Sequence, residues 1–448
     1  MGIIDFQAFS WSVDDGTPEE DDYENMDFTV HVFGKTRTGE SVAVHVSGFS
    51  PSFCVLFPRN LSTPELYDEL EELLKKQLKL WDVSNGKPEE VADYSDHLVD
   101  IDPDDKIWHK KSLWGFTHGA THPFFRYVFR SRKAHDKLKN LIRACHKNVL
   151  SEDEMESFYD EVKGVRKASK RNYEAGREQV DTLISQLSGE RGVPERALRW
   201  ILKLGDASLP FGFAKGKLFE VIDPILRFAH LRNLKMAGWI RLSDPIPVPE
   251  GDREATCRLE YRVQYDELHP LDCDDICPKI KELAFDIEAY SYNDQFPDPS
   301  IQANCAFQIS VTLKDYASPQ IRRILLHLRS PEDLRGEETG RCGPIKDTEV
   351  MNFETEKELL ETFANIIVEE DPDILYGYNS DSFDWNYLMV RAQMNHCEDK
   401  FGRISRIKEY VCKVESKAFQ SSAYGDNKYL RVDIPGEIND IDDRLTAG

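Results

Sequence analysis

Two carboxylates stand two residues apart inside an apolar run, Leu283-Ala284-Phe285-Asp286-Ile287-Glu288. In an extended chain successive side chains leave opposite faces, so Asp286 and Glu288 share one face while Phe285 and Ile287 share the other. The run predicts a half-buried strand with one apolar side and one doubly acidic side. Two acids so placed repel each other and lose hydration, a cost that a hard divalent cation between them removes. Taken alone, the same letters also fit an exposed edge strand with no ligand.

A second segment, ending in Tyr376-Gly377-Tyr378-Asn379-Ser380-Asp381-Ser382-Phe383-Asp384-Trp385-Asn386-Tyr387-Leu388, narrows the choice. Upstream of it, Thr355 and Glu358 stand at capping-box spacing and open a helix. Leu359, Phe363, Ile366 and Ile367 form the apolar stripe of that helix. Asp371-Pro372-Asp373 stops it, and Ile374-Leu375-Tyr376 reads as a buried strand that ends at Asn379. A new helix starts near Ser382, placing Asp384 in its first turn and Asp384, Tyr387, Leu388 and Arg391 on one face. A carboxylate near a helix N-terminus ionises readily, and this one could face the acidic strand across a small sheet.

These two segments resemble the first and second exonuclease motifs of family B DNA polymerases, in particular the eukaryotic delta type and the enzymes of large double-stranded DNA viruses. Phe296-Pro297-Asp298-Pro299, Asp371-Pro372-Asp373-Ile374, Phe401-Gly402-Arg403, Ser416-Lys417 and Ile434-Pro435-Gly436 extend the likeness. Upstream, Val32-Phe33-Gly34-Lys35-Thr36, Gly48-Phe49-Ser50-Pro51 and Leu113-Trp114-Gly115-Phe116-Thr117 resemble the N-terminal domain of the same family. The resemblance implies an α/β chain with a ribonuclease-H-like exonuclease domain, built on a mixed sheet, over residues 276–448 and C-terminally incomplete. An α+β N-terminal domain over residues 1–275, carrying a helical insertion at 134–189, precedes it. It further implies metal-dependent 3′→5′ proofreading during DNA replication at a two-metal site that takes Mg2+, with Mn2+ as a substitute. By the resemblance Asp286 and Glu288 bind the first metal and Asp384 helps to position the second. Phe285, Asn379, Phe383 and Tyr387 contact the substrate, Phe383 by stacking on a base. The implied partners are the single-stranded 3′ end of a primer-template and the remaining polymerase domains, in a second chain or a longer product.

The likeness has gaps. The family's third exonuclease motif, a tyrosine four residues before an aspartate on a helix downstream of the glycine matching Gly436, is missing before the sequence closes at Gly448. Tyr23/Asp27, Tyr290/Asp294 and Tyr429/Asp433 have the spacing but the wrong order, as expected by chance in a chain with 17 tyrosines. Glu437 stands where the family usually has an arginine. Tyr424-Gly425-Asp426-Asn427-Lys428 is similar to the polymerase catalytic motif, but Lys428 puts a cation where a second acid is required, so it reads as a loop. Nucleotide addition by these residues alone is not expected, and one missing carboxylate predicts little or no exonuclease turnover. The alternative is a non-catalytic DNA-binding or scaffolding fragment of a split polymerase. A small standalone RNase of the same fold would lack the large N-terminal region.

Composition bounds the rest. The net charge of −24 argues against sequence-blind coating of duplex DNA, though local Lys and Arg still decide phosphate affinity. Lys163 to Arg171 is the basic exception, read chiefly as the wet side of a helix. No apolar run is long enough to cross a bilayer, and the start Met1-Gly2-Ile3-Ile4-Asp5-Phe6 has neither a basic lead nor an acylation signal. Nine cysteines at scattered spacing fit reduced thiols; His269, Cys273 and Cys277 lack a fourth zinc ligand. The expected setting is intracellular, in the nucleus or a viral replication compartment, away from membranes. Arg258 to Tyr265 reads as a strand with Leu259, Tyr261, Val263 and Tyr265 on one face, Pro245 to Pro249 as a loop, and Pro270 to Pro278 as the domain boundary.

Overall fold

The structure is a computed structural model that describes residues 3–15, 27–56, 75, 78, 94–99, 107–111, 121–147, 152–169, 173–191, 195, 198–199, 218–219, 222–273, 276–292, 295–316, 318–329, 340–380, 383–421 and 425–439. Contacts divide it into two compact units. One joins residues 1–13, 30–47 and 229–448, the other 14–29 and 48–228. This split follows tertiary contacts rather than the linear boundary expected at 275/276: the amino-terminal strands return to share a unit with the acidic strand.

In the first unit, β1 (Ile4–Asp14), β2 (Thr29–Thr36), β3 (Ser41–Ser47), β4 (Trp239–Leu242), β5 (Ile246–Pro247), β6 (Leu259–Gln264) and β7 (Leu268–Leu271) form a seven-stranded sheet in the order β5-β6-β3-β2-β1-β4-β7. The expected Pro245–Pro249 loop thus contains a short strand, Ile246 and Pro247 pairing with Arg262 and Tyr261. The expected apolar face of β6 is also corrected. Glu260 is buried, as is Val263, while Leu259 and Tyr261 are only half covered. Its carboxylate accepts hydrogen bonds from His45 Nε2 (2.8 Å), the Glu254 amide (2.8 Å) and the Ala255 amide (3.1 Å), which is why an acid occupies the core side.

The acidic run forms β8 (Lys281–Ala289), the centre of a six-stranded mixed sheet. Its neighbours are β9 (Ala306–Asp315), β10 (Ile321–Leu328), β11 (Glu349–Phe353), β12 (Ile374–Tyr376) and β15 (Ile438–Asn439), in the order β11-β10-β9-β8-β12-β15. β8 runs antiparallel to β9 and parallel to β12, and β12 runs parallel to β15. Helix α1 (Glu356–Glu370) opens with the expected capping box: Thr355 Oγ1 accepts from the Glu358 amide and Glu358 accepts from the Thr355 amide. Asp371, left-handed at φ 47°, ends it. Leu359, Phe363 and Ile367 of α1 are fully buried with Leu283, Phe285 and Ile287 of β8. The Phe285 ring lies 5.2 Å from Phe363 and 4.8 Å from Trp385 of α2 (Asp384–Met394), and a short α3 (Glu398–Phe401) follows. Truncating such a core residue to alanine typically costs about 3–5 kcal/mol. The hairpin β13 (Val414–Ser421) and β14 (Gly425–Val432) pairs antiparallel, so Gly425 to Lys428 is strand and not the loop expected from the sequence.

At the start of β8 the two sheets of this unit meet over buried charge. Asp373 accepts from Lys35 Nζ of β2, from the Lys281 amide (2.8 Å) and from Arg406 Nη2 (2.9 Å). Arg406, fully buried, also reaches Asp371 Oδ1 at 2.7 Å and the Gly436 carbonyl at 3.1 Å. Gly436 is at φ 98°, and a Cβ there would stand 2.4 Å from Arg406 Cβ, so only glycine fits. Glu437 is buried against this cluster, and burial drives its carboxyl well above the usual carboxylate range.

The second unit holds the strand Thr121–Phe129, paired with Ser52–Leu56, Leu98–Val99 and Ile107–Lys111. The expected helical hairpin is three helices, Arg132–Lys147, Glu152–Ala168 and Tyr173–Arg191. The first starts on Asp15, whose carboxylate accepts from the Arg132 (2.6 Å) and Lys133 (2.9 Å) amides. In the second, Lys163, Arg166 and Lys167 are exposed, a wet helix side.

Candidate acidic site and its aromatic flank

The site is built where β12 runs out and β8 continues. Pairing between them ends at Ala284↔Tyr376. Beyond it the chain turns through Gly377, where a Cβ would sit 2.6 Å from the Phe285 carbonyl, so this close passage requires glycine. Asn379 follows at φ 54°, a left-handed position that asparagine tolerates, and its side chain is exposed. The turn delivers Asp384 to the first turn of α2, against the unpaired edge of β8. There Asp384 Oδ1 accepts from the Ile287 amide at 3.2 Å, a bond a sheet neighbour would otherwise make.

Asp286 and Glu288 leave the exposed face of β8, as the period-two pattern requires, with Leu283, Phe285 and Ile287 buried behind them. Asp384 is only 3% exposed. Burial, and then the negative charge of Asp286, push its carboxyl up to about 6, against a pull downward from the amides of Ile287 and Asp384 itself. The charge of Asp286 thus bears on the Asp384 carboxyl. Among the described residues no group of three or more His, Cys, Asp or Glu side chains is gathered closely enough to hold a metal ion. Glu288 shares the face of Asp286, but the three expected acids do not close into such a group. Nor does any Lys or Arg pair with Asp286, Glu288 or Asp384 among the described residues.

The four residues expected to touch substrate separate into two sets. Asn379 is exposed and Phe383 half-buried, and both are accessible. Phe285 is 3% exposed and packed into the core between Phe363 and Trp385, so its side chain cannot meet a ligand; the strand alternation that exposes Asp286 buries it. Tyr387 is 1% exposed and donates to the Asn304 carbonyl at 3.0 Å, its ring 5.5 Å from Phe383. It backs Phe383 and does not itself offer a surface. Sequence reasoning passed over Phe296, which is 79% exposed with its ring 5.2 Å from Phe383 in an edge-on arrangement. The signal was an apolar aromatic between two masking polar stretches in a proline-rich loop, where burial is not needed. His269 and Cys273 do not form a ligand set: His269 Nε2 pairs with Ser243 Oγ at 3.2 Å, and Arg37 donates to Cys273 Sγ at 3.4 Å.

The fold is that of an α/β protein with a doubly acidic strand at the centre of a mixed sheet. The family model for the exonuclease domain of family B DNA polymerases matches residues 217–441, half of the chain, and the chain belongs to that family. A DNA polymerase of Paramecium bursaria Chlorella virus NY2A is 23% identical over 97% of this chain and 37% of its own length. DNA polymerase 037L of Invertebrate iridescent virus 6 is 31% identical over 50% of this chain and 18% of its own. The DNA polymerase delta catalytic subunit of Schizosaccharomyces pombe is 23% identical over 94% and 32%. The chain thus spans well under half the length of these relatives. The solved family B DNA polymerase of Pyrobaculum calidifontis aligns over 97% of the chain at 15% identity and a TM-score of 0.49.

Proposed function

We propose that this chain is the N-terminal and exonuclease portion of a replicative DNA polymerase, its second half a ribonuclease-H-like domain that trims mispaired 3′ ends of DNA. The observation that carries the reading is buried Asp384, held by the Ile287 amide at the unpaired edge of β8 beside the outward face of Asp286, with no Lys or Arg paired to either acid among the described residues. Hard oxygen ligands with uncompensated charge suit Mg2+ or Mn2+, held by Asp286 and Asp384 with Glu288 beside them. Such an ion activates water and neutralises the scissile phosphate when bound. Asp384, fixed by the Ile287 amide, sets the reach of the site. Asn379, Phe383 and Phe296 supply the flank on which a frayed strand end stacks. The relatives support a setting inside the cell, in a nucleus or a viral replication compartment, with the other polymerase domains as partner. No helix among the described residues is long and apolar enough to cross a membrane.

A second reading, a non-catalytic DNA-binding or scaffolding fragment, is favoured by the failure of the three expected acids to gather into one ligand group among the described residues. The test uses residues 1–448, a 3′-hydroxyl single-stranded oligodeoxynucleotide and Mg2+ or Mn2+. Divalent-dependent binding of the strand, with slow release of nucleotides, should vanish in Asp286→Ala. Binding that ignores both metal and substitution supports the scaffold; absence of any strand binding sinks both readings.

A further inference from the structure

Behind the aromatic flank lies a charged residue for which the proposed chemistry has no use. Arg391 of α2 is fully buried, and all five of its guanidinium N–H groups are engaged. Nε donates to Glu356 Oε1 at 2.8 Å and Nη2 to Glu356 Oε2 at 2.5 Å. Nη1 donates to the carbonyls of Pro299 (3.0 Å) and Ile301 (2.9 Å), and Nη2 also reaches that of Gln302 at 3.3 Å. Glu356 sits in the first turn of α1, where the helix dipole favours an anion. It also accepts from the Ala306 amide (2.8 Å) and from Asn395 Nδ2 (2.7 Å). One ion pair therefore ties α1, α2 and the start of β9 to three carbonyls of a loop that contains neither helix nor strand over its described residues.

That loop carries Phe296. Further ties are Tyr387 Oη to the Asn304 carbonyl at 3.0 Å from the same helix face, Asn304 Nδ2 to the Asp298 carbonyl at 3.1 Å within the loop, and the amides of Tyr290 and Tyr292, which donate to the Cys305 carbonyl (2.8 Å) and Asn304 Oδ1 (3.1 Å). Asp384, Tyr387 and Arg391 follow one another along α2, so the helix that fixes the buried acid also fixes the loop. We propose that Arg391, paired with Glu356, is a positioning residue that holds the 295–305 loop so that Phe296 stands against Phe383 as a ready-made stacking platform. The proposal rests on the nucleic-acid reading above for the ligand, but not for the tether. Five donors in a planar fork are what the arrangement consumes, and lysine offers three from a single nitrogen. An unanchored Phe296 would have to be ordered on binding, and the cost appears as affinity.

The test compares the 1–448 chain with Arg391→Lys in two measurements. The first is binding of a single-stranded oligodeoxynucleotide with 2-aminopurine at its 3′ end, whose fluorescence is quenched on stacking. Arg391→Lys should weaken binding by roughly ten-fold and restore most of the fluorescence, as Phe296→Ala does. The second is limited proteolysis without DNA, in which the 295–305 loop is resistant in the parent and cut in Arg391→Lys. Unchanged affinity, quenching and protease resistance in a folded Arg391→Lys overturn the proposal. Should that variant fail to fold, Tyr387→Phe removes one tie to the same loop without stranding a buried charge. It must then shift all three readouts in the same direction by a smaller factor, and a silent Tyr387→Phe overturns the proposal. If the parent neither binds nor quenches, the nucleic-acid reading falls, while the proteolysis still decides whether Arg391 holds the loop.

Discussion

The two ends of β8 treat carboxylates in opposite ways. Where the strand begins, Asp373 is surrounded by donors: Lys35 Nζ, the Lys281 amide and Arg406 Nη2. Where it ends, Asp384 has backbone amides alone and looks at a second acid. Both aspartates are nearly inaccessible, 1% and 3% exposed. Burial is thus common to the two, and compensation is what differs. A satisfied buried charge has its contacts already and serves as a joint between the two sheets of its unit. An unsatisfied one stores repulsion that an incoming cation or proton relieves, which is why the function proposed above is assigned to this end.

The widest separation between the ends should come from removing a partner at the joint. Arg406→Ala strands Asp373 and Glu437 in the interior and removes a partner of half-buried Asp371, and loss of one member of a buried ion cluster costs about 3–5 kcal/mol. Urea unfolding of the variant should show a midpoint shift of that size, and a loss below about 1 kcal/mol would mean the joint carries no structural weight. At the other end the sign reverses. Asp384→Asn keeps the shape, removes the repulsion with Asp286, and should stabilise the metal-free protein by about 1–2 kcal/mol at neutral pH. A lowered melting temperature for Asp384→Asn would show that this carboxylate is compensated after all.

Acid sharpens the same contrast. Asp384 binds its proton more tightly folded, at about 6, than at its ordinary value of 3.8, so folding takes up protons between these limits. Its charge is a penalty in the folded state above pH 6, and the penalty is relieved as pH falls through about 6 towards 4. The melting temperature of the parent should therefore approach that of Asp384→Asn over this window, with the gap widest above pH 7. Excess Mg2+ at neutral pH should narrow the gap as well, since a cation replaces the proton. A gap that is flat in pH removes the titration from Asp384.

The legible parts of this molecule are those fixed by local period. Alternation in Leu283 to Glu288 gave β8 with the correct faces, and Thr355 with Glu358 marked the start of α1 to the residue. The same alternation should have warned that Phe285 is core, because a strand residue directly before an outward acid points inward. What stayed hidden depends on partners distant along the chain. Glu260 looks solvent-facing until His45, 215 residues away, is brought to it. Arg391 and Glu356 are 35 residues apart, and as letters are only a helix-surface arginine and a first-turn glutamate. The joint pairs Lys35 with Asp373 across 338 residues, and no local pattern anticipates it. Phe296 was overlooked because period reasoning rewards buried aromatics and is silent on exposed ones.

The smallest expected effect tests whether burial, rather than ion pairing as such, separates the regions. Arg322 on β10 makes a two-pronged contact with Glu349, Nε to Oε1 at 2.7 Å and Nη2 to Oε2 at 2.8 Å, and also reaches Glu370. In drawing it matches Arg391 on Glu356. The Arg322 side chain is 45% exposed and that of Arg391 is 0% exposed. Hydrogen bonding to Arg322 holds the Glu349 carboxyl below its usual range, yet water and salt screen most of that gain. Arg322→Ala should cost at most about 0.5 kcal/mol in urea unfolding, and the loss should vanish near molar NaCl, where the Debye length falls to about 3 Å. A salt-insensitive loss above about 2 kcal/mol would place Arg322 with the buried joint and dissolve the distinction between surface and interior charge on which the comparison of the two strand ends depends.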